Sequence, residues 1–424
     1  MRAMQPVRLL ARRTDERHSV VSGTVPTVGR TPPPGVSPAP DWHTARAISW
    51  AAPASCMASE TVDLPNGFGR VLAEPVTAAC DVPHYASSAM DGWAIAGDGN
   101  GPWTLVASEE LAPGEARAIV TGALIPVGTR AVLRSEYGDE TGHLLTSTAL
   151  EAPFAGQHVR PVGTEATAGD TVIAAGTVLN PAHLALAAGC GRDELAVVTR
   201  PRVALVFTGD EVVVSGIPTP GKVRDSFGPQ LPHVVTLLGG AVSTIGRVRD
   251  NATELQRALT ASREDSDLII TTGGTGRSTA DHLRATLSGL GATVLVDSVA
   301  MRPGGPTMLW RLPDGRFVVA LPGNPLAAMV GLLTVAAPLV TAMLGVPLPD
   351  PRSVVTAAAT PGRAGTTLLA PYRLVDGTAV TTDWTGSGMM RGLADADGIL
   401  VVPASGLGAG SSAESITLPW APRR

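Results

Sequence analysis

The spacing of apolar residues changes along the chain, and each change marks a different kind of structure. Residues 1–45 show no apolar periodicity and are rich in Pro, Arg, Ser and Thr, which predicts a disordered extension. From about Trp50 to Thr199 short apolar runs such as GWAIAG, WTLVA, RAVLRSE and HLLTST are separated by Gly, Pro and Asp. That texture predicts strands and turns of a small β-barrel or sandwich on an elongated base. Residues 180–189 (NPAHLALAAG) carry Asn before Pro at one end and Gly at the other, the start and stop signals of a helix.

After Arg202 the pattern becomes an alternation. VALVF ends in a polar turn, residues 229–238 are apolar at helical spacing, AVSTIGRV reads as a strand and residues 253–263 as a helix. DLIITT and FVVALPGNP are further strands that run into glycine-rich turns. Strands alternating with helices at this spacing predict a doubly wound α/β domain with parallel strands and right-handed crossovers. From about Pro351 short strands return, which predicts a separate small β domain. The fold class is thus multidomain, α/β plus β, as a chain of 424 residues allows at roughly 150 residues per domain.

Composition narrows the function. A net charge of −5 offers no basic surface for nucleic acid or for a polybasic membrane anchor. Lys222 is the only lysine among 32 basic residues, so arginine must serve wherever a cation is needed. Cys56, Cys80 and Cys190 are widely spaced and form no CxxC or Cys/His cluster, which suits reduced thiols in a cytoplasmic protein. No apolar run of signal-peptide length precedes the Pro-rich tract. The uncharged run 326–344, about 19 residues, has the length of a membrane span. It follows a strand and a Gly-Asn-Pro turn directly, so a buried helix is expected instead.

Three strand ends carry unusual turns: Thr208-Gly209-Asp210-Glu211, Gly273-Gly274-Thr275-Gly276 and Pro322-Gly323-Asn324-Pro325. Each alone reads equally well as a plain tight turn. Together, at the carboxyl ends of parallel strands, they mark a ligand crevice in which backbone amides meet an anion. Neither GxGxxG nor GxxxxGK[ST] is present, so a dinucleotide fold and a P-loop are not indicated. Glu211, Asp250 and Asp281 collect near these turns and suit a divalent cation bridging carboxylates to phosphate. Asp281 as a helix cap and Asp250 as a solvated loop residue are the bland readings.

The motifs in series are Ser87-Ser88-Ala89-Met90-Asp91-Gly92-Trp93-Ala94, Thr121-Gly122-Ala123 and Val159-Arg160-Pro161, then the three turns above. Asp225-Ser226-Phe227-Gly228-Pro229 and Arg302-Pro303-Gly304 stand between those turns. From about Ala45 onward the chain resembles the molybdopterin molybdenumtransferase family, shared with the E domain of gephyrin. The resemblance implies an elongated base (46–84 and 164–200), an inserted β domain (85–163), a molybdopterin-binding α/β domain (201–348) and a C-terminal β-barrel (349–424). It implies a homodimer whose site lies between the α/β domain of one subunit and the Asp91 region of the other. It also implies a reaction in which adenylylated molybdopterin and molybdate yield molybdenum cofactor and AMP, with Mg2+ or another divalent cation. An adenylyltransferase and apo-molybdoenzymes are implied as protein partners.

By the same resemblance Asp91, Glu211, Asp250 and Asp281 are the catalytic acids, the last three holding metal. Thr121, Glu165, Ser226, Gly273, Gly274, Thr275, Gly276, Arg302, Pro322, Gly323, Asn324 and Pro325 would bind substrate. The chain departs from the family where a segment of the form K-x-x-x-K-P-G-K-P is usual. Here it runs Ser298-Val299-Ala300-Met301-Arg302-Pro303-Gly304-Gly305-Pro306, so Arg302 replaces one lysine and Ser298 and Gly305 carry no charge. Each lost cation costs about 1.5–3 kcal/mol if it made a charged hydrogen bond. Glu165 stands where Asp is common, Phe227 where Asn is usual, and His282 in an often aliphatic slot. Two alternatives stay open: a diverged paralogue that binds the pterin without efficient insertion, and a molybdopterin adenylyltransferase, which GGTG with Asp281 also resembles.

Overall fold

Strands that are apolar on both faces need cover on both faces, and the central strands of this protein have it. The structure is a computed structural model describing residues 38–261, 265–275 and 282–421. Its contacts set Ala39–Arg424 apart as one compact unit, to which everything below refers. Among the described residues, a six-stranded sheet is built from Ala241–Arg247, Arg202–Phe207, Leu268–Thr272, Phe317–Leu321, Met308–Arg311 and Thr293–Val296, in that spatial order. The first four strands are parallel, and Met308–Arg311 runs antiparallel to its neighbours.

Side chains along these strands alternate between two cores, as the period of two demands. Val203, Leu205 and Phe207 join one cluster with Leu231, Val234 and the long helix Pro325–Met343. Ala204 and Val206 join the other, with Leu255, Leu259, Leu283 and Leu287. The doubly wound arrangement expected from the sequence is therefore present. Pro325–Met343 is long and apolar enough to cross a membrane, but 83% of its most apolar stretch is buried inside the protein, which makes it a core helix.

The first described helix corrects one boundary. Residues up to 45 were expected to be extension, yet Trp42–Ala51 is helical and Trp42 is fully buried. Trp42 Nε1–H donates to Thr334 Oγ1 (3.2 Å), whose own hydroxyl donates to Val330 O (2.8 Å), so the helix is fastened to Pro325–Met343. Asp41 caps it by accepting from the Thr44 amide at 2.7 Å. That bond holds the Asp41 carboxyl below the usual carboxylate range. Asp41→Ala is expected to cost about 1 kcal/mol at neutral pH. A carboxyl held low in the folded state stabilises above its unfolded value and stops doing so as pH falls through its folded value. The gap between wild type and variant in thermal melts should therefore hold down to about pH 4, the ordinary carboxylate range, and close as pH falls further through the lowered folded value. A gap that persists in acid would remove the charge from the cap.

The base pairs Ser59–Asp63 with Glu194–Val198 and Val76–Thr77 with Thr171–Ile173. Its helix Pro181–Gly189 starts where expected, with Asn180 Oδ1 accepting from the His183 amide at 2.9 Å. The inserted domain is a curled six-stranded sheet around Ile95, Trp103, Leu133 and Leu145. In the C-terminal domain Thr367–Val375 pairs with both Thr378–Thr381 and Gly398–Val402, and the sheet closes through Arg352–Thr356 and Ser412–Thr417 into a five-stranded barrel. Met301–Arg302, which lies between two strands of the α/β sheet, adds itself to Thr367–Val375 of this barrel.

Candidate functional site at the strand ends

Phe207, Thr272 and Leu321 are in register at the carboxyl ends of three adjacent parallel strands. The three glycine turns therefore leave the sheet side by side. Thr208 ties two of them together, its Oγ1–H donating to Thr272 O at 2.7 Å. A Cβ on Gly273 would lie 2.5 Å from Thr208 Oγ1, and its φ of +84° is open to glycine and unfavourable for other residues. Gly323 completes the row, close enough that a Cβ on it would be 3.9 Å from Gly273 Cα.

These turns wall a cavity of ≈ 730 Å³, within the range of small-molecule sites. Glu211, Ser226, Asp250, Gly273, Gly274, Thr275, Gly323, Asn324 and Pro325 all line it, so nine of the residues singled out from the sequence meet in one place. The amides of Gly274, Thr275, Gly323 and Asn324 have no hydrogen-bond partner among the described residues. Unpaired amides at the ends of parallel strands are suited to an anion. The Glu211 carboxylate folds back over its own turn, 3.1–3.2 Å from where a Cβ on Gly209 would sit. Asp250 accepts from the Asp210 amide at 3.3 Å, which fixes the approach of its loop.

The sequence reading missed Arg224, Asp225 and Gly388 as lining residues. Arg224 is held through a 3.2 Å bond from Nη1 to Val213 O. Asp225 is 6% exposed at its side chain, paired with Arg247, and accepts from the amides of Phe227 (3.0 Å) and Gly228 (3.1 Å). It organises the Ser226 turn, and its position one residue before Ser226 was the available signal. Lys222 clamps the same loop by donating to Asp210 O at 2.9 Å. Gly388 arrives from the barrel, where Ser387 O accepts from the Ala327 amide at 3.0 Å, and nothing local in the sequence announces it.

Other expected site residues lie elsewhere. Asp91 and Thr121 sit together on the inserted domain, the Thr121 amide donating to Asp91 Oδ1 at 2.7 Å, and this bond lowers the Asp91 carboxyl from its ordinary range. Glu165 is an exposed base residue whose amide donates to Val82 O. Arg302 is exposed and paired to the barrel at Leu368, outside the cavity lining. Pro322 is buried behind the lining. Gly276 and Asp281 lie outside the described residues.

Among the described residues no group of three or more His, Cys, Asp or Glu side chains is gathered for a metal. Glu211 and Asp250 nevertheless fit a magnesium ion, which commonly takes one or two carboxylates and completes its shell with water and substrate phosphate.

An α/β domain with a crevice at its strand ends is here joined to a base of paired short strands, an inserted β sheet and a barrel. The molybdopterin biosynthesis moeA protein of Pyrococcus horikoshii superposes with a TM-score of 0.76 at 20% identity, covering 90% of this chain and all of that one. Residues 41–191 match the family described as MoeA N-terminal region (domain I and II), and residues 204–342 match the "Probable molybdopterin binding domain". A molybdopterin molybdenumtransferase of Staphylococcus aureus is 31% identical over 69% of this chain and 73% of its own length. Molybdopterin molybdenumtransferase 2 of Mycobacterium tuberculosis is 32% identical over 81% of this chain and 90% of its own. The chain belongs to the molybdopterin molybdenumtransferase family, transferases of molybdenum cofactor biosynthesis.

Proposed function

We propose that the protein inserts molybdate into adenylylated molybdopterin, releasing AMP, at the cavity between the three glycine turns. The observation that carries this reading is the composition of that cavity: four amides without a partner among the described residues and Arg224 for anionic oxygens, with Glu211 and Asp250 also lining it. The dithiolene of the pterin supplies the ligands for molybdenum, so the protein needs no Cys or His there. Its tasks are to hold a phosphoanhydride and molybdate in one geometry and to balance the charge that develops as AMP leaves. Glu211 and Asp250 would hold the divalent cation, whose contribution is neutralisation of phosphate charge. Gly273 and Gly323, lacking side chains, let the ligand approach the backbone. Three free cysteines are in keeping with a cytoplasmic setting.

We place Asp91 and Thr121 at the rim of the same site in a second copy of the chain. Val120, Leu124 and Val127 lie close to Thr121 in the chain and are each more than 60% exposed, apolar surface that favours association. The test is complementation. Asp91→Asn and Asp250→Asn should each be inactive alone, while dimers re-formed from the mixture should recover about a quarter of wild-type turnover, since half the dimers carry one intact site. A mixture that stays inactive places Asp91 in the site of its own chain or in none.

A second reading is favoured by one observation. Arg224 is the sole cation lining the cavity among the described residues, and Arg302, whose backbone pairs with a barrel strand, is not part of that lining. A paralogue that binds the pterin without efficient insertion fits that thin basic half. Purified protein with adenylylated molybdopterin, molybdate and magnesium separates the two: molybdate-dependent AMP release and reconstitution of an apo-molybdoenzyme support insertion. Tight binding with no AMP release overturns it.

A further inference from the structure

The C-terminal barrel has a cavity of its own, of ≈ 360 Å³, remote in sequence from the glycine turns and left unused by the reaction above. Arg373, Arg391, Trp384, Asp383 and Asp395 line it. Trp384 has a φ of +65°, a left-handed conformation that is unfavourable for a bulky side chain. Half of its surface is also left in water. Neither feature helps the barrel to fold.

The conformation is nonetheless firmly imposed. A Cβ on Gly392 would lie 2.4 Å from Asp383 O and 3.0 Å from Trp384 O, so the backbone of residues 383 and 384 is pressed against a position only glycine can occupy. The Arg391 guanidinium stands 4.9 Å from the centroid of the Trp384 ring. Although Asp383 and Asp395 border the same cavity, neither Arg373 nor Arg391 forms an ion pair among the described residues. An exposed aromatic ring held in a strained turn, with two guanidiniums and two carboxylates around it, is a recognition surface rather than a packing element.

We propose that this cavity is a second ligand site, for a phosphorylated heteroaromatic molecule the size of a purine mononucleotide. The indole stacks on the ring system, as aromatic side chains do with bases. Arg373 and Arg391 take the phosphate, for which guanidinium geometry is suited. The carboxylates of Asp383 and Asp395 accept from amino groups on the ring, so an amino-bearing base fits and inorganic phosphate alone fits poorly. The volume falls at the lower end of small-molecule sites, which accommodates one such ligand. Residues 383–392 also supply Gly388 to the α/β cavity, so an occupant at Trp384 contacts the segment that walls the other site.

The experiment is calorimetric titration of the full chain with AMP, and with inorganic phosphate as the partial ligand. AMP should bind saturably, and inorganic phosphate at least about tenfold more weakly. Trp384→Ala and the double change Arg373→Ala with Arg391→Ala should each weaken one AMP site by about tenfold or more, whereas Trp384→Phe should keep it within about threefold. The far-ultraviolet circular dichroism of these exposed-site variants should match wild type. Arg224→Ala reports on AMP held in the α/β cavity, and the Trp384-dependent binding should survive it. Identical AMP isotherms for wild type and both barrel variants would assign all AMP binding elsewhere and overturn the proposal. So would the absence of saturable binding up to about 5 mM.

Discussion

Asp250→Asn should reduce molybdate-dependent AMP release by about two to three orders of magnitude with almost no change in folding stability. The substitution is nearly isosteric, and its amide oxygen still accepts from the Asp210 amide, a contact made at 3.3 Å. What disappears is one negative charge in a cavity that offers two carboxylates, Glu211 and Asp250, free of ion pairs among the described residues. Asp225 cannot replace it, because its oxygens are engaged by Arg247 and by the amides of Phe227 and Gly228. Steady-state rates measured across a magnesium titration give the check. Turnover like that of wild type at every magnesium concentration would take Asp250 out of the reaction.

The second large effect concerns stability. Trp42→Ala should destabilise the protein by about 3–5 kcal/mol, the usual cost of truncating a fully buried aromatic residue. Two losses combine. The indole leaves a void beside Pro325–Met343, and Thr334 Oγ1 loses the donor that Trp42 Nε1 supplies at 3.2 Å. Trp42→Phe separates them, since it keeps most of the volume and removes only the donor. Chemical denaturation should show Phe recovering more than half of the loss. Equal damage from Ala and Phe would mean that the hydrogen bond, rather than packing, holds this helix.

How far the sequence revealed these features follows from the range of the interactions involved. The α/β strands were legible because two-sided burial writes itself as short continuous apolar runs, VALVF and DLIITT among them. The glycine turns were legible because they are local and chemically constrained. The Trp42 helix was not: it begins at the edge of a tract rich in Pro and Arg, and its anchor, Thr334, lies far along the chain. Arg302 was read as a substrate-binding cation from the resemblance, as the replacement for one family lysine. The structure pairs it with Leu368 of the barrel, a strand contact that no local pattern encodes. Gly388 escaped for the same reason, and Arg224 because a lone arginine in a two-residue strand has no signature apart from its neighbours.

That excursion of Met301–Arg302 has a consequence for how the molecule comes apart. The segment is covalently bounded by α/β strands, Thr293–Val296 before it and Met308–Arg311 after it, yet its backbone ladder belongs to Thr367–Val375. Melting the barrel frees this loop, and melting the sheet pulls on the barrel, so neither can open to solvent without disturbing the other. Amide hydrogen exchange should report one shared opening free energy for Leu205, Ile270 and Val319 in the sheet and Leu400 and Val402 in the barrel. Two separate opening free energies would show that the two domains, distinct in architecture, unfold independently despite this shared ladder.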